Sequence, residues 1–239
     1  MGLGRIRSRA LPIELSVLIV LVFAPSTRAI ESAPVRLPSA GELVSSRAAV
    51  RAAPSSRARL VRVLHQFQWS GQFQVVLAVR ARQGKDGRWW YELSLPGRPN
   101  GQRGWVRSDL VHLHPVSTRI VVHLGARRIE VRRIVGGKLL LSSVVAVGKA
   151  GAETPLGRNF YVQARHIPDD PFYGPFVLVT SAYSKLSDWP GDGLAGIHGT
   201  NQPGLLGQAV SHGCVRVANS VASALERLAP LGTPVDFVS

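Results

Sequence analysis

Apolar and polar residues alternate along most of the chain beyond residue 59, a period of two that places successive side chains on opposite faces of a strand. Leu60-Val61-Arg62-Val63-Leu64 alternates, Phe73 to Val79 is β-rich, and Trp89-Trp90-Tyr91-Glu92-Leu93 follows the turn Lys85-Asp86-Gly87. A second turn, Pro96-Gly97-Arg98-Pro99-Asn100-Gly101, leads into Gly104-Trp105-Val106. Four or five short strands with turn signals at this spacing predict a small β-barrel over 59–115. Trp90 and Trp105 suit its core better than an open ligand groove. The strand pattern continues through Thr118 to Leu124, Arg128 to Ile134 and Lys138 to Val147, with Gly136-Gly137 as a hairpin turn. In the second of these, Ile129 and Val131 alternate with Glu130 and Arg132, one face apolar and one wet. A strand after Phe160, a Pro/Asp-rich excursion at Ile167 to Pro171, and the apolar run Phe176 to Val179 follow. Helical signal is confined to the end: Ser220 is the expected cap of a helix over Val221 to Leu228, stopped by Pro230 and Gly232 before a closing strand at Val235 to Val238. The fold class is therefore mainly β with one C-terminal helix, in two domains, 59–115 and 118–238.

The N-terminal part reads differently. Arg5, Arg7 and Arg9 precede an apolar run from Leu15 to Ala24, and Thr27-Arg28-Ala29 offers small residues at the two positions a signal peptidase reads. Residues 1–29 are thus expected to be a secretory signal; the alternative is an uncleaved anchor, against which Pro12 and Glu14 count by shortening the run. No cysteine follows that run to take a lipid. Residues 30–58 are dominated by Ala, Ser, Pro and Arg and are expected to be a flexible basic linker, either a plain stalk or a tether to wall polymers.

Composition narrows the classes. With 45% hydrophobic and 18% charged residues in 239, the chain is globular rather than disordered. No stretch reaches the roughly 18–20 apolar residues of a spanning helix, so attachment to a membrane is peripheral at most. The 29 Lys and Arg exceed the 14 acids by 15. Removal of residues 1–29 takes away four Arg and one Glu and leaves +12. For an exported chain such charge favours encounter with anionic wall polymers over nucleic acid, without identifying a fold. The single cysteine excludes an internal disulfide and any multi-thiolate zinc ribbon.

The candidate chemistry lies between Ile197 and Asn219. His198-Gly199-Thr200 is followed by Ser211-His212-Gly213-Cys214-Val215-Arg216-Val217-Ala218-Asn219. A thiol of ordinary pKa about 8.5 is mostly protonated at neutral pH, and a nearby imidazole that takes its proton makes it a nucleophile. Gly213 lets a substrate carbonyl approach the backbone, where main-chain N–H groups could hold an oxyanion. A zinc site on His198, His212 and Cys214 lacks a fourth ligand at a recognisable spacing. Most of the remaining histidines, His166, His112 and His114 among them, fit solvated loops.

These residues resemble the signature of the L,D-transpeptidase catalytic domain, the YkuD family, over roughly 118–238. Val147-Gly148, Thr154-Pro155-Leu156-Gly157, Tyr173-Gly174-Pro175-Phe176 and Ser181-Ala182-Tyr183-Ser184 fit that family's approach to its substrate cleft. The stretch from Trp89 through Gly104-Trp105-Val106-Arg107-Ser108-Asp109-Leu110-Val111 resembles a bacterial SH3-like domain. The resemblance implies an exported enzyme of the cell wall or periplasm, needing no metal or cofactor. Its partners would be peptidoglycan stem peptides, a donor tetrapeptide and an acceptor amine. Cys214 is then the nucleophile, His198 its base and the Gly199 carbonyl the group that orients the ring. Ser211, His212, Gly213, Arg216, Tyr183 and Asn219 fall in or beside the substrate site. Arg216 either binds a stem carboxylate or makes an internal salt bridge, and Asn219 fixes the loop or caps the last helix. The competing readings are a non-catalytic wall-binding protein, an L,D-carboxypeptidase and a cysteine peptidase acting on stem peptides.

Overall fold

The computed structural model describes residues 1–2, 35–68, 71–186 and 193–239; the expected signal segment lies almost wholly outside the described residues. The chain divides into two compact units, Met1–Ile30 and Glu31–Ser239, and every described strand belongs to the second.

Seven strands make the first sheet: β1 (Ser39–Leu43), β2 (Arg47–Arg51), β3 (Leu60–His65), β4 (Val75–Gln83), β5 (Trp89–Ser94), β6 (Arg103–Arg107) and β7 (Val111–Pro115), in the order β3-β2-β6-β5-β4-β1-β7. Five of them fall in 59–115, where four or five were expected. The other two overturn the reading of 30–58 as a flexible linker. Composition misled there, because the alternation that matters is built from small residues. In Arg47-Ala48-Ala49-Val50-Arg51, Ala48 and Val50 are buried while the arginines stay at the surface. Gly41 in β1 sits so close to β7 that an added Cβ would fall 1.8 Å from the carbonyl oxygen of His112. A stretch poor in large apolar residues is here a strand slotted between β4 and β7. Trp90 and Trp105 are buried, as core packing requires.

The second sheet has eight strands. In chain order they and their neighbours are β8 (Thr118–His123), β9 (Arg128–Arg133), β10 (Leu139–Val144), β11 (Val147–Gly148), β12 (Gly157–His166), β13 (Val177–Tyr183), β14 (Leu194–His198), β15 (Ala209–Ser211), β16 (Val215–Arg216), α1 (Asn219–Leu228) and β17 (Pro234–Val238). The order is β10-β9-β8-β17-β12-β13-β14-β16, with β11 and β15 paired separately. The β9–β10 hairpin turns at Gly136 and Gly137, both at positive φ, as their pairing in the sequence predicts. Helix α1 buries Ala222 and Leu225, three residues apart, against the sheet. It starts two residues earlier than expected, after Ala218 rather than Ser220, and no side chain caps it. At its other end the Leu228 carbonyl accepts from the Thr118 hydroxyl at 2.7 Å.

The two sheets share a core. Ala40, Val75 and Leu77 of the first pack on Tyr161 of β12, whose hydroxyl donates to the Val75 carbonyl at 3.1 Å. A Cβ on Gly232 would lie 2.1 Å from that of Ala40.

Candidate active site

Parallel pairing of β14 with β16 sets Ile197 beside Val215 and His198 beside Arg216. Because side chains alternate, Ile197 and Val215 point into the core, where they are 1% and 0% exposed. Gly196 and His198 on β14, with Arg216 on β16 and Cys214 just before it, are left for the opposite face. Sixteen residues of sequence separation thus become a side-by-side arrangement. His198, Cys214 and Arg216 line one cavity of about 420 Å³ together with Phe172, Tyr173, Ser211 and His212. A roomier cavity of about 650 Å³ lies at the seam between the sheets, lined by Phe73, Val116 and Leu231 among others, and holds none of the candidate residues.

His198 is 2% exposed. Its Nδ1 lies 2.6 Å from the Gly199 carbonyl oxygen. A carbonyl only accepts, so Nδ1 carries the proton and Nε2 is left as the basic nitrogen. Tyr173 packs edge-on against the ring at 5.0 Å between centroids. Burial pushes the imidazole down to about 4, with the Arg216 charge acting the same way and the Gly199 hydrogen bond opposing. Burial also pushes the Cys214 thiol up, opposed by the Gly196 N–H, which donates to Sγ at 3.4 Å, and by the Arg216 charge. Both shifts favour the neutral pair at rest. A thiolate held by imidazolium, the arrangement expected from the sequence, runs against both shifts.

Arg216 is buried, 7% exposed. Its guanidinium lies 4.6 Å above the Phe172 ring, Nη1 donates to Gln202 Oε1 at 3.4 Å, and Nε has no partner. Among the described residues no carboxylate pairs with it, so the internal salt bridge considered above is absent there. Ser211 donates its hydroxyl to the Cys214 carbonyl at 2.5 Å and accepts from the Gly213 N–H at 3.2 Å. The hydroxyl therefore ties the Cys214 loop together, and the Gly213 N–H, one of the amides expected to face a substrate carbonyl, is engaged within the loop. Gly213 itself has φ 114°, a conformation that favours glycine. His212 lines the cavity and is half-buried.

Two of the expected residues lie elsewhere. Asn219 accepts the Thr200 N–H at 2.8 Å, and its Oδ1 would be 2.3 Å from a Cβ on Gly199; it fixes the turn after His198 and does not cap α1. Tyr183 faces a neighbouring hollow of about 710 Å³, lined also by Arg98, Asn100, Glu153 and Lys185. Phe172 escaped the sequence reading. It sits on a single 3-10 turn, Pro171–Tyr173, begun by Asp170, whose carboxylate accepts the Phe172 N–H at 2.8 Å. The signal was present as Asp-Pro, a pairing that opens helical turns, inside a stretch that reads as loop.

This fold and site define a class. Residues 117–237 match the L,D-transpeptidase catalytic domain, YkuD, and the chain belongs to that family. It is 30% identical to YkuD of Bacillus subtilis over 122 residues, 51% of this chain and 66% of that protein. It is 34% identical to YkuD of Bacillus licheniformis over 119 residues, 50% of this chain and 64% of that one. The match thus spans just under two thirds of these relatives' length. Among solved structures, the Enterococcus faecium L,D-transpeptidase is similar at 23% identity and a TM-score of 0.40, covering 53% of this chain and 55% of that one.

Proposed function

We propose that this protein is an exported peptidoglycan L,D-transpeptidase. Cys214 Sγ attacks the carbonyl of the third, diamino-acid residue of a tetrapeptide stem while its proton passes to His198 Nε2. The tetrahedral intermediate collapses, the C–N bond to the terminal D-alanine breaks, and His198 returns the proton to the departing amine. A side-chain amine of a second stem then attacks the thioester, gives up a proton to His198, and leaves a 3→3 cross-link with the thiol restored. Water in place of that amine gives the L,D-carboxypeptidase reaction from the same thioester.

One observation carries this reading above all. The lone thiol, just before β16, and an imidazole on β14 with its tautomer fixed by the Gly199 carbonyl line one cavity in a chain that belongs to the family. The partnerless Nε of Arg216 supports a carboxylate in that cavity, since a buried guanidinium without an acid favours an anionic ligand. Ser211, Gly213 and Asn219 hold the loops that carry the two reacting groups, and His212 and Arg216 meet the stem. Export through the 1–29 signal, placement in the wall or periplasm and contact with anionic polymers belong to the same proposal. So does an SH3-like character for the first sheet.

The test is digestion of purified sacculi treated with the protein, with the muropeptides sized by mass spectrometry. Wild type is expected to produce 3→3 dimers, and Cys214→Ala none, with its circular dichroism unchanged. Dimers formed by Cys214→Ala would remove the nucleophile assignment.

A further inference from the structure

The first sheet reaches the reacting loop through one turn. Between β5 and β6, Asn100 makes a paired contact with the backbone of Tyr183 at the end of β13: Nδ2 donates to the Tyr183 carbonyl at 2.7 Å, and Oδ1 accepts the Tyr183 N–H at 2.9 Å. The pairing copies the two hydrogen bonds of a strand ladder with a single side chain. Arg98 from the same turn donates to the carbonyls of Ser184 at 3.3 Å and Leu186 at 3.1 Å, and its guanidinium lies 4.7 Å over the Tyr183 ring. Ser184 is held further by its N–H to the Gly193 carbonyl at 2.8 Å. On its other side Ser184 abuts the nucleophile loop, where a Cβ on Gly213 would lie 2.8 Å from that of Ser184. The line of contact therefore runs Asn100, Tyr183, Ser184, Gly213, Cys214.

We propose that Asn100 is a positioning residue for the acyl-transfer site, holding the Tyr183–Ser184 backbone against Gly213 so that the Cys214 loop keeps its reactive geometry. This rests on the transpeptidase reading above. The first sheet is then part of the catalytic apparatus rather than an attached binding module. Its turn arrives at a fixed place because the sheet is seated on Tyr161 through Ala40, Val75 and Leu77. Release of the clamp loosens the Tyr183 end of β13 and with it the seat of Ser184 against Gly213, and small displacements of a nucleophile are costly in rate.

The experiment follows acylation of Cys214 by meropenem through intact mass spectrometry, on the full chain, for wild type, Asn100→Ala and Leu113→Ala. Leu113 is buried in the first sheet's core on β7, away from the turn, and serves as the stability control. Asn100→Ala is expected to lose about tenfold in the limiting acylation rate, with the half-saturating concentration changed by about twofold at most. Its unfolding temperature should drop by only about 3 °C while amide exchange at Tyr183 accelerates. Leu113→Ala should lose about 5–10 °C yet acylate at the wild-type rate. An Asn100→Ala protein that acylates like wild type overturns the proposal, as does a rate loss in Leu113→Ala that scales with stability. Alkylation by iodoacetamide is measured in parallel. Should wild type take up no carbapenem, the transpeptidase reading falls, and the alkylation rates still decide whether Asn100 positions Cys214.

Discussion

A carbonyl oxygen 2.6 Å from His198 Nδ1 decides which ring nitrogen carries the proton, and burial decides how readily the other takes one. With its pKa held near 4 against an ordinary 6.5, His198 is neutral in the folded protein throughout the physiological range. The folded state therefore binds fewer protons than the unfolded chain between about pH 4 and 6.5. Stability contributed by the neutral ring is present above 6.5 and lost as pH falls to 4, by about 3 kcal/mol. Urea unfolding of wild type and His198→Gln across that window checks it: only wild type should carry this increment. At neutral pH the Cys214 thiol should show no ultraviolet thiolate absorbance relative to Cys214→Ala. On the proposed assignment of His198 as base, His198→Ala is expected to slow Cys214 acylation about 100-fold and His212→Gln less than about tenfold. The reverse order, measured by the same mass-spectrometric assay, would identify His212 as the base. The pair was legible in the sequence because a thiol and an imidazole carry their chemistry in their identity. The resting charge was not, since dryness comes from Phe172, Tyr173 and Arg216 closing around the ring, contacts no spacing encodes.

Strands rather than single residues place this chemistry. Pairing of β14 with β16 turns the interval from His198 to Cys214 into a neighbour relation, and alternation assigns core and cavity faces without further instruction. Such alternation was readable wherever the inward residues were Val, Ile, Leu or aromatic, as in β8 and β9. It failed in β1 and β2, where Ser39, Ala40 and Ala48 share the buried positions with Leu43 and Val50 and the sequence looks like a stalk. Small residues are there because neighbouring backbone leaves no room. Gly41→Ala is therefore expected to destabilise the protein by about 3 kcal/mol, since the new methyl meets the His112 carbonyl and β1 has to move. A flexible linker would absorb the change silently, and thermal unfolding of the variant distinguishes the two. The helix start was misplaced for a related reason: Ser220 has the chemistry of a cap, but Asn219 already lies within the first turn, with its side chain engaged by Thr200.

At the scale of the molecule, the two sheets bury surface in each other. Tyr161 is wholly enclosed, and burial pushes its hydroxyl far above the ordinary phenol range. A chain begun at residue 116 would expose that ring together with the apolar face behind it, and would leave Tyr183 without Asn100. Such a truncation is expected to be poorly soluble and to melt well below the full unit, as light scattering and calorimetry would register; a soluble, cooperatively folded fragment would contradict the shared core. The seam around Gly232 and Ala40 has a longer consequence. Genomes commonly rearrange domains as interchangeable beads, and a replacement bead here would have to present a methyl at one point and nothing larger. The two halves are expected to have been inherited together, with changes on one side of that seam matched by changes on the other.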